Sequence, residues 1–349
     1  MKREEQGEGR RTLHIDGSQG EGGGQILRTS LALSIITGTP IRIEKIRARR
    51  SKPGLMRQHL TSVLAAARVG GAHVQGAEVG SKEIAFTPSG IQAGVYHFAI
   101  GTAGSTTLIL QTVLPALLFA PGPSRVTLEG GTHNPKAPPF EFLERAFLPL
   151  LARMGARVEV SLPRAGFYPA GGGRLEAVIH PAESLSPLEL LERGEVRGRR
   201  GMVLLANLPG HIAERELRHL SQHTSWPEGA LEVRRVEGAG PGNAVLLELE
   251  SEAVTEVFTS IGEVGLAAEK VADLAVQEMR TYLTAGVPVG EHLADQLLLP
   301  LALAGGGSFR TLPLSLHART QIDLIPRFLD VRFEVEEDGE ARVVRVLRA

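Results

Sequence analysis

Gly17-Ser18-Gln19-Gly20-Glu21-Gly22-Gly23-Gly24-Gln25-Ile26-Leu27-Arg28 follows a short strand containing Leu13 and Ile15 and opens an apolar helix predicted over Gln25 to Thr37. Five glycines in eight residues let the backbone bend sharply and aim several N–H groups at one point. At a helix N-terminus such a turn suits an anion, because the unpaired N–H groups and the helix dipole both favour negative charge. It is not a P-loop, since no Gly-Lys-Ser/Thr follows, and its glycines lack the dinucleotide spacing. Outward from this turn the same order of elements recurs. A strand over Ile41 to Ile46, a helix over Leu55 to Val69 and paired strands around Ala72 to Phe86 complete a first copy. A second opens at Gly101-Thr102-Ala103-Gly104-Ser105, with helices over Thr106 to Phe119 and Pro139 to Met154. Its strands are Arg125 to Glu129, Val158 to Leu162 and Arg174 to His180. A third starts near Gly286, with a helix over Glu291 to Ala304, a strand over Ser308 to Leu312 and a helix near Gln321 to Leu329. The strands Val331 to Glu336 and Ala341 to Leu347 close it.

One copy alone leaves a sheet or helix face bare, so the copies are expected to pack together. The fold class is therefore α/β (α+β), with a three-copy body over residues 13–182 and 285–349. Residues 183–284 interrupt it as a smaller inserted α/β domain, with strands near 202–208, 231–236 and 243–249 and helices near 213–222 and 266–284. Residues 1–12 read as a disordered charged tail.

The chain has 349 residues, 42% hydrophobic and 22% charged, which is globular composition. A net charge of -1 provides no global basic field, so a nucleic acid would be gripped locally or only at its end. With no cysteine, disulfides, thiolate catalysis and cysteine-rich metal sites are excluded. The longest apolar run, Leu108 to Ala120, carries Gln111 and Pro115 and is too short to span a bilayer. A cytoplasmic protein with no membrane partner is expected.

Several stretches carry chemistry. With a helix starting near Gly22, Glu21, Gln25 and Arg28 would share one face, where a carboxylate, an amide and a guanidinium suit a metal-bound triphosphate. The competing reading is a tight packed turn with solvated charges. Lys45 to Arg57 holds six basic residues and no acid, with Pro53-Gly54 breaking it into a loop. Such a cluster binds a phosphate, although most charge runs are solvated faces. Gly130 to Phe140 is a rigid loop; Pro138 and Phe142 would form a slot for a purine base, or simply buttress the loop. Gly171-Gly172-Gly173 is another close-approach site. The histidines show no zincin spacing. His317, read as lying in a loop after a strand, is an imidazole able to attack phosphorus at neutral pH.

Together, Ile15 to Arg28, Arg47 to His59, Gly101 to Phe119, Gly130 to Pro139, Gly166 to Gly173 and Gly290 to Pro300 resemble the RNA 3′-terminal phosphate cyclases. The resemblance implies three units of two helices and a four-stranded sheet, plus a smaller inserted domain. It implies ATP and a divalent metal, Mg²⁺ or Mn²⁺, as cofactors and an RNA 3′ end as partner. It also implies three steps: adenylylation of a histidine, transfer of AMP to the RNA 3′-phosphate, and closure of a 2′,3′-cyclic phosphate. His317 falls at the nucleophile position. Glu21, Gln25 and Arg28 fall at nucleotide contacts, Glu21 also at the metal. Asp295 and Gln296 fall near the adenosine, with Pro138 and Phe142 as its apolar walls. Arg47 and Arg50 match basic residues near the phosphates, and Gln58 and His59 lie in a matching string. Two departures stand out: His292 replaces a frequent tyrosine at the adenine stack, and Leu316 replaces the cysteine that often precedes the nucleophile. Two alternatives remain, a non-catalytic relative acting in ribosome assembly and a carboxyvinyl-type transferase of related repeat architecture.

Overall fold

Alternating apolar residues set the strands and glycines end the main helices in the computed structural model, which describes residues 11–349. Positions 1–10 of the expected charged tail lie outside the described residues. The first copy runs β1 (Leu13–Asp16), α1 (Gly24–Thr37), β2 (Ile41–Glu44), α2 (Arg57–Val69), β3 (His73–Gln75) and β4 (Ile84–Thr87). Its sheet has the order β1-β2-β4-β3, with β1 and β2 parallel and β4 antiparallel to both neighbours. Every residue of α1 from Ile26 to Ile35 is buried, the polar Arg28, Thr29, Ser30 and Ser34 included. It stops at Gly38, whose φ of 67° is a left-handed conformation that glycine adopts without a Cβ clash.

The second copy runs β5 (Val95–Ala99), α3 (Thr106–Leu117), β6 (Ser124–Gly130), α4 (Phe140–Phe142), a π-helical turn (Leu143–Phe147), α5 (Leu148–Arg153), β7 (Arg157–Arg164) and β8 (Gly173–His180). Its sheet order, β5-β6-β8-β7, repeats the first. The third copy begins with β9 (Leu188–Leu190) and is then interrupted by β10 (Val196–Ala206), α6 (Gly210–Thr224), β11 (Leu231–Arg235), β12 (Gly242–Ser251), β13 (Thr255–Ile261) and α7 (Ala268–Ala285). It resumes with α8 (Glu291–Ala304), β14 (Gly307–Thr311), α9 (Leu316–Leu324), β15 (Val331–Asp338) and β16 (Ala341–Arg348). Its order is β9-β14-β16-β15, the same arrangement again. The intervening strands form a fourth sheet, β11-β10-β12-β13.

Three local readings change. Leu188–Leu190, expected within the insertion, pairs in parallel with Gly307–Phe309 and supplies the first strand of the third copy. A three-residue strand is too short to show alternation, and the added strands β5 and β13 mix apolar and polar residues without a clean period of two. The helix expected near Gln321 starts at Leu316, because Ser315 caps it: the Ser315 hydroxyl accepts from the Ala318 N–H at 2.9 Å. His317 therefore sits in a first helical turn, not in a loop.

A large apolar core runs through all three copies. A second core, with Val203, Leu205, Leu247, Phe258 and Tyr282, lies between the fourth sheet and α6 and α7. Arg145 of the π-helical turn pairs with Glu248 of β12, and Arg153 donates to the Ala253 carbonyl at 2.6 Å, tying the two parts together.

Candidate active site

The glycine turn and His317 come from opposite ends of the chain and meet where α9 packs against α1, with the Thr320 hydroxyl as a direct link. Thr320, one turn after His317 on α9, accepts from the Glu21 N–H at 2.9 Å. A Cβ on Gly20 would collide with that hydroxyl, and the φ of 57° at Gly20 also favours glycine. The turn can close on α9 only because Gly20 has no side chain.

Glu21 precedes α1 rather than lying on its face, since the helix starts at Gly24. One of its oxygens pairs with Arg50; the other, Oε2, is buried with no hydrogen-bond partner. Gln25 and Arg28 do share a face: the Arg28 guanidinium donates to Gln25 Oε1 at 2.8 Å, and Gln25 donates to Thr29 at 3.0 Å. Arg28 is only 8% exposed and has no carboxylate partner among the described residues. Burial pulls its pKa down to about 10, so it stays charged at neutral pH. A buried guanidinium without a counter-charge is a place for an anion.

Two imidazoles share this field. His59, at the start of α2, lies beside Arg28 over Gly24, and its Nδ1 is buried without a partner. Burial, then the charges of Arg47, Arg28 and Arg50, push its pKa down to about 3. The pKa of His317 is lowered for similar reasons: burial first, then Arg28 and Arg50. Its Nδ1 is also buried and unpartnered. Both rings are therefore neutral at pH 7. Arg47 donates to the carbonyls of Lys52 at 2.6 Å and Gly54 at 3.0 Å, so it braces its own loop while contributing charge. Gln58 accepts from the Ser105 N–H at 2.7 Å and links this corner to the second glycine turn.

On the other side, Asp295 of α8 accepts from the Ser315 hydroxyl at 2.6 Å, and Gln321 donates to the Asp295 carbonyl at 2.6 Å. Burial raises the Asp295 pKa to about 6 despite the Ser315 hydrogen bond. A narrow cleft of about 40 Å³ joins Gln25, Arg28, Asp295, Gln296 and Gln321. It is also lined by Gln111, Pro115 and Phe147, so α1, α3 and α8, the equivalent helices of the three copies, all reach it. A larger surface hollow of about 480 Å³ lies between α2 and β5 and contains none of these groups. Arg28 links the narrow cleft to the orphaned polar atoms: it lines the cleft and lies beside His59, while Glu21, His59 and His317 are not among the cleft's lining residues.

Other positions fall differently. Phe142 is packed in the core at 3% exposure, and the aromatic ring lining the cleft is Phe147, at the far end of the π-helical turn. Pro138 is half-buried and its carbonyl accepts from Thr107 at 2.7 Å. His292 lies at the exposed start of α8, 3.5 Å from Glu278 of α7. Gln111, Ser315 and Thr320 carry no mark as site residues in the sequence. A signal for Gln111 existed: Gln111-Thr112-Val113-Leu114-Pro115 and Gln296-Leu297-Leu298-Leu299-Pro300 occupy the same turns of α3 and α8.

Glu21 is the group suited to a metal: a buried carboxylate with one unpaired oxygen is a hard-cation ligand. No cluster of three or more histidine, cysteine, aspartate or glutamate side chains is present among the described residues. Glu21 would thus hold the ion together with phosphate oxygens and water, as Mg²⁺ sites commonly do. Among the described residues no helix is long and apolar enough to cross a membrane.

These features define a class: a three-copy α/β protein whose equivalent helices α1, α3 and α8 meet at one cleft, beside neutral imidazoles in an arginine field suited to phosphate. Comparison with known proteins is specific. The profile of a family described as RNA 3′-terminal phosphate cyclase matches residues 19–335. A protein of that name from Koribacter versatilis is 55% identical over 94% of this chain and 93% of its own length. Its namesake from Ectopseudomonas mendocina is 53% identical over 96% of this chain and 97% of its own. Another from Pseudomonas fluorescens is 56% identical over 94% and 95%. The chain belongs to the RNA 3′-terminal phosphate cyclases, a family of enzymes.

Proposed function

We propose that the protein converts an RNA 3′-terminal phosphate to a 2′,3′-cyclic phosphate with ATP, carrying AMP on His317. The observation that carries the reading is the Thr320–Glu21 hydrogen bond, which holds the helix of His317 against the glycine turn. His317 Nδ1 is the buried nitrogen, so Nε2 is the nucleophile. Its lone pair attacks the α-phosphorus of ATP; the P–N bond forms as the P–O bond to pyrophosphate breaks. An oxygen of the RNA 3′-phosphate then attacks the same phosphorus, breaking P–N and leaving an RNA–adenylate anhydride. The vicinal 2′-hydroxyl attacks the 3′-phosphorus, loses its proton and expels AMP.

Arg28 and Arg50 supply positive charge for the phosphates and keep His317 neutral, which is the nucleophilic form. Glu21, with its unpaired carboxylate oxygen, would hold a divalent cation, which when bound would supply positive charge for the phosphates. Asp295, Gln296 and Gln111 line the side of the cleft for the nucleoside. His292 would offer an imidazole face to the base, and Phe147 an apolar wall. Arg47 keeps the basic loop folded and adds to its charge. The RNA is gripped at its end, in keeping with the absence of a net positive charge.

Incubation with α-labelled ATP and Mg²⁺ or Mn²⁺ tests this. A protein–AMP adduct that is labile in acid and missing from His317→Ala is expected, with cyclic phosphate formed on RNA 3′-phosphate ends. An adduct that persists in the variant would remove His317 from the role.

A further inference from the structure

The fourth sheet sits between β9 and α8, so its return helix α7 delivers the chain directly to the start of α8. Three side chains of the insertion hold that junction at alternate residues. The hydroxyl of Tyr282, a fully buried residue of α7, donates to the Pro288 carbonyl at 3.0 Å. Glu256 of β13, 2% exposed, accepts from the Gly290 N–H at 2.5 Å. Glu278 of α7 stands 3.5 Å from the His292 ring nitrogen. Gly290 stands just before α8 at the capping position, where it has no side chain to cap the helix. Glu256 takes that place from a different part of the fold, over the bare Cα of Gly290.

From α8 the connection continues toward the nucleophile. Asp295, one turn on, accepts from Ser315 at 2.6 Å, and Ser315 in turn accepts from Ala318 N–H at 2.9 Å in the first turn of α9. We infer that the inserted sheet positions the reaction centre, with Glu256 and Tyr282 as positioning residues that set the start of α8 and, through Asp295 and Ser315, the His317 ring. The inference rests on the adenylylation reading above. The insertion thereby gains a part in the chemistry, because a helix start held from outside the three-copy body keeps its angle only while the insertion is folded and docked.

Glu256 acts as a hydrogen-bond acceptor rather than as a charge. Burial raises its pKa to about 8, and the nearby Glu278 carboxyl pushes the same way, so the acid is neutral at pH 7. An amide of the same shape reproduces a neutral acid; an alkyl side chain does not. The test is adenylylation of the full-length protein with labelled ATP, with the ATP KM and the maximal rate measured separately for Glu256→Gln, Glu256→Leu and Tyr282→Phe. Glu256→Leu should lower rate/KM at least tenfold, Tyr282→Phe a fewfold, and Glu256→Gln should recover most of the wild-type value. An unchanged Glu256→Leu overturns the inference. So does a Glu256→Gln as impaired as Glu256→Leu with an equal fall in melting temperature, because that pattern marks a merely structural residue. No adduct in the wild type sinks the adenylylation reading and this inference with it, whereas a wild-type adduct beside an unchanged Glu256→Leu sinks this inference alone.

Discussion

A histidine nucleophile is useful only while it is uncharged, and at His317 burial and two arginines act in the same direction. Each disfavours the imidazolium, so the pKa falls below its ordinary value of 6.5. The sign follows directly. Above pH 6.5 the ring is neutral in both folded and unfolded chains, and between 6.5 and the lower folded value only the unfolded chain takes up the proton. Adenylylation should therefore be flat above pH 6.5 and decline only at a lower pH, which a rate profile of adduct formation measures. A midpoint above 6.5 would contradict the arginine field. Stability should also decline as pH drops below 6.5, since the unfolded state then binds more protons. His59, pushed down to about 3 with its Nδ1 buried, acts in the same direction. Residue types in the string Arg47 to His59 are readable as basic and phosphate-suited, yet not that Arg47 spends its donors on Lys52 and Gly54. Hydrogen-bond partners within a loop depend on its backbone path, which side-chain identity does not encode.

Among the elements, α9 is the one whose start matters most. Its cap, Ser315, uses one hydroxyl twice: it accepts from Ala318 and donates to Asp295. Ser315→Ala should cost about 1 kcal/mol through the lost cap and lower the melting temperature by about 2 °C. It also leaves the Asp295 carboxyl without its donor, so adenylylation should slow more than that loss of stability alone explains; kinetics beside a thermal melt separates the two. A variant with wild-type kinetics would show that α9 is held by other means. The cap is legible as a residue type, but Pro313 and Leu314 just before it offer no helical periodicity, so pattern alone places the helix start too late. The π-helical turn at Leu143–Phe147 is equally hidden, since a fivefold hydrogen-bond pattern leaves no clear mark in a run of apolar residues. Its effect is concrete: the ring on the cleft is Phe147 and not Phe142.

At the scale of the molecule, the fourth sheet has two apolar faces: Met202, Leu204, Leu246 and Val257 join the core of the three copies, whereas Val203, Leu205 and Leu247 pack in the second core, and Arg145–Glu248 and Arg153–Ala253 add polar ties. Leu247→Ala, in the second core, should remove about 2–5 kcal/mol and bring thermal unfolding forward, because the sheet that carries it also contributes to the core of the three copies. Adenylylation should disappear with the earlier transition, because Phe258, the partner of Leu247 across the ladder, lies on the strand that carries Glu256. Calorimetry paired with adduct formation checks this; activity outlasting the lowered transition would contradict it. The amino-acid sequence by itself determined which helices are predominantly apolar and central, where glycines turn the chain, and that one unit recurs three times. Those properties are local, written in spacing and residue type. Only the tertiary structure decided that β9 joins β14 across an interruption, that Gln111 shares a cleft with Gln296, and that Glu21 meets Thr320 from 299 residues away. Such meetings depend on how sheets and helices stack, and no periodicity within a segment records what will lie against it.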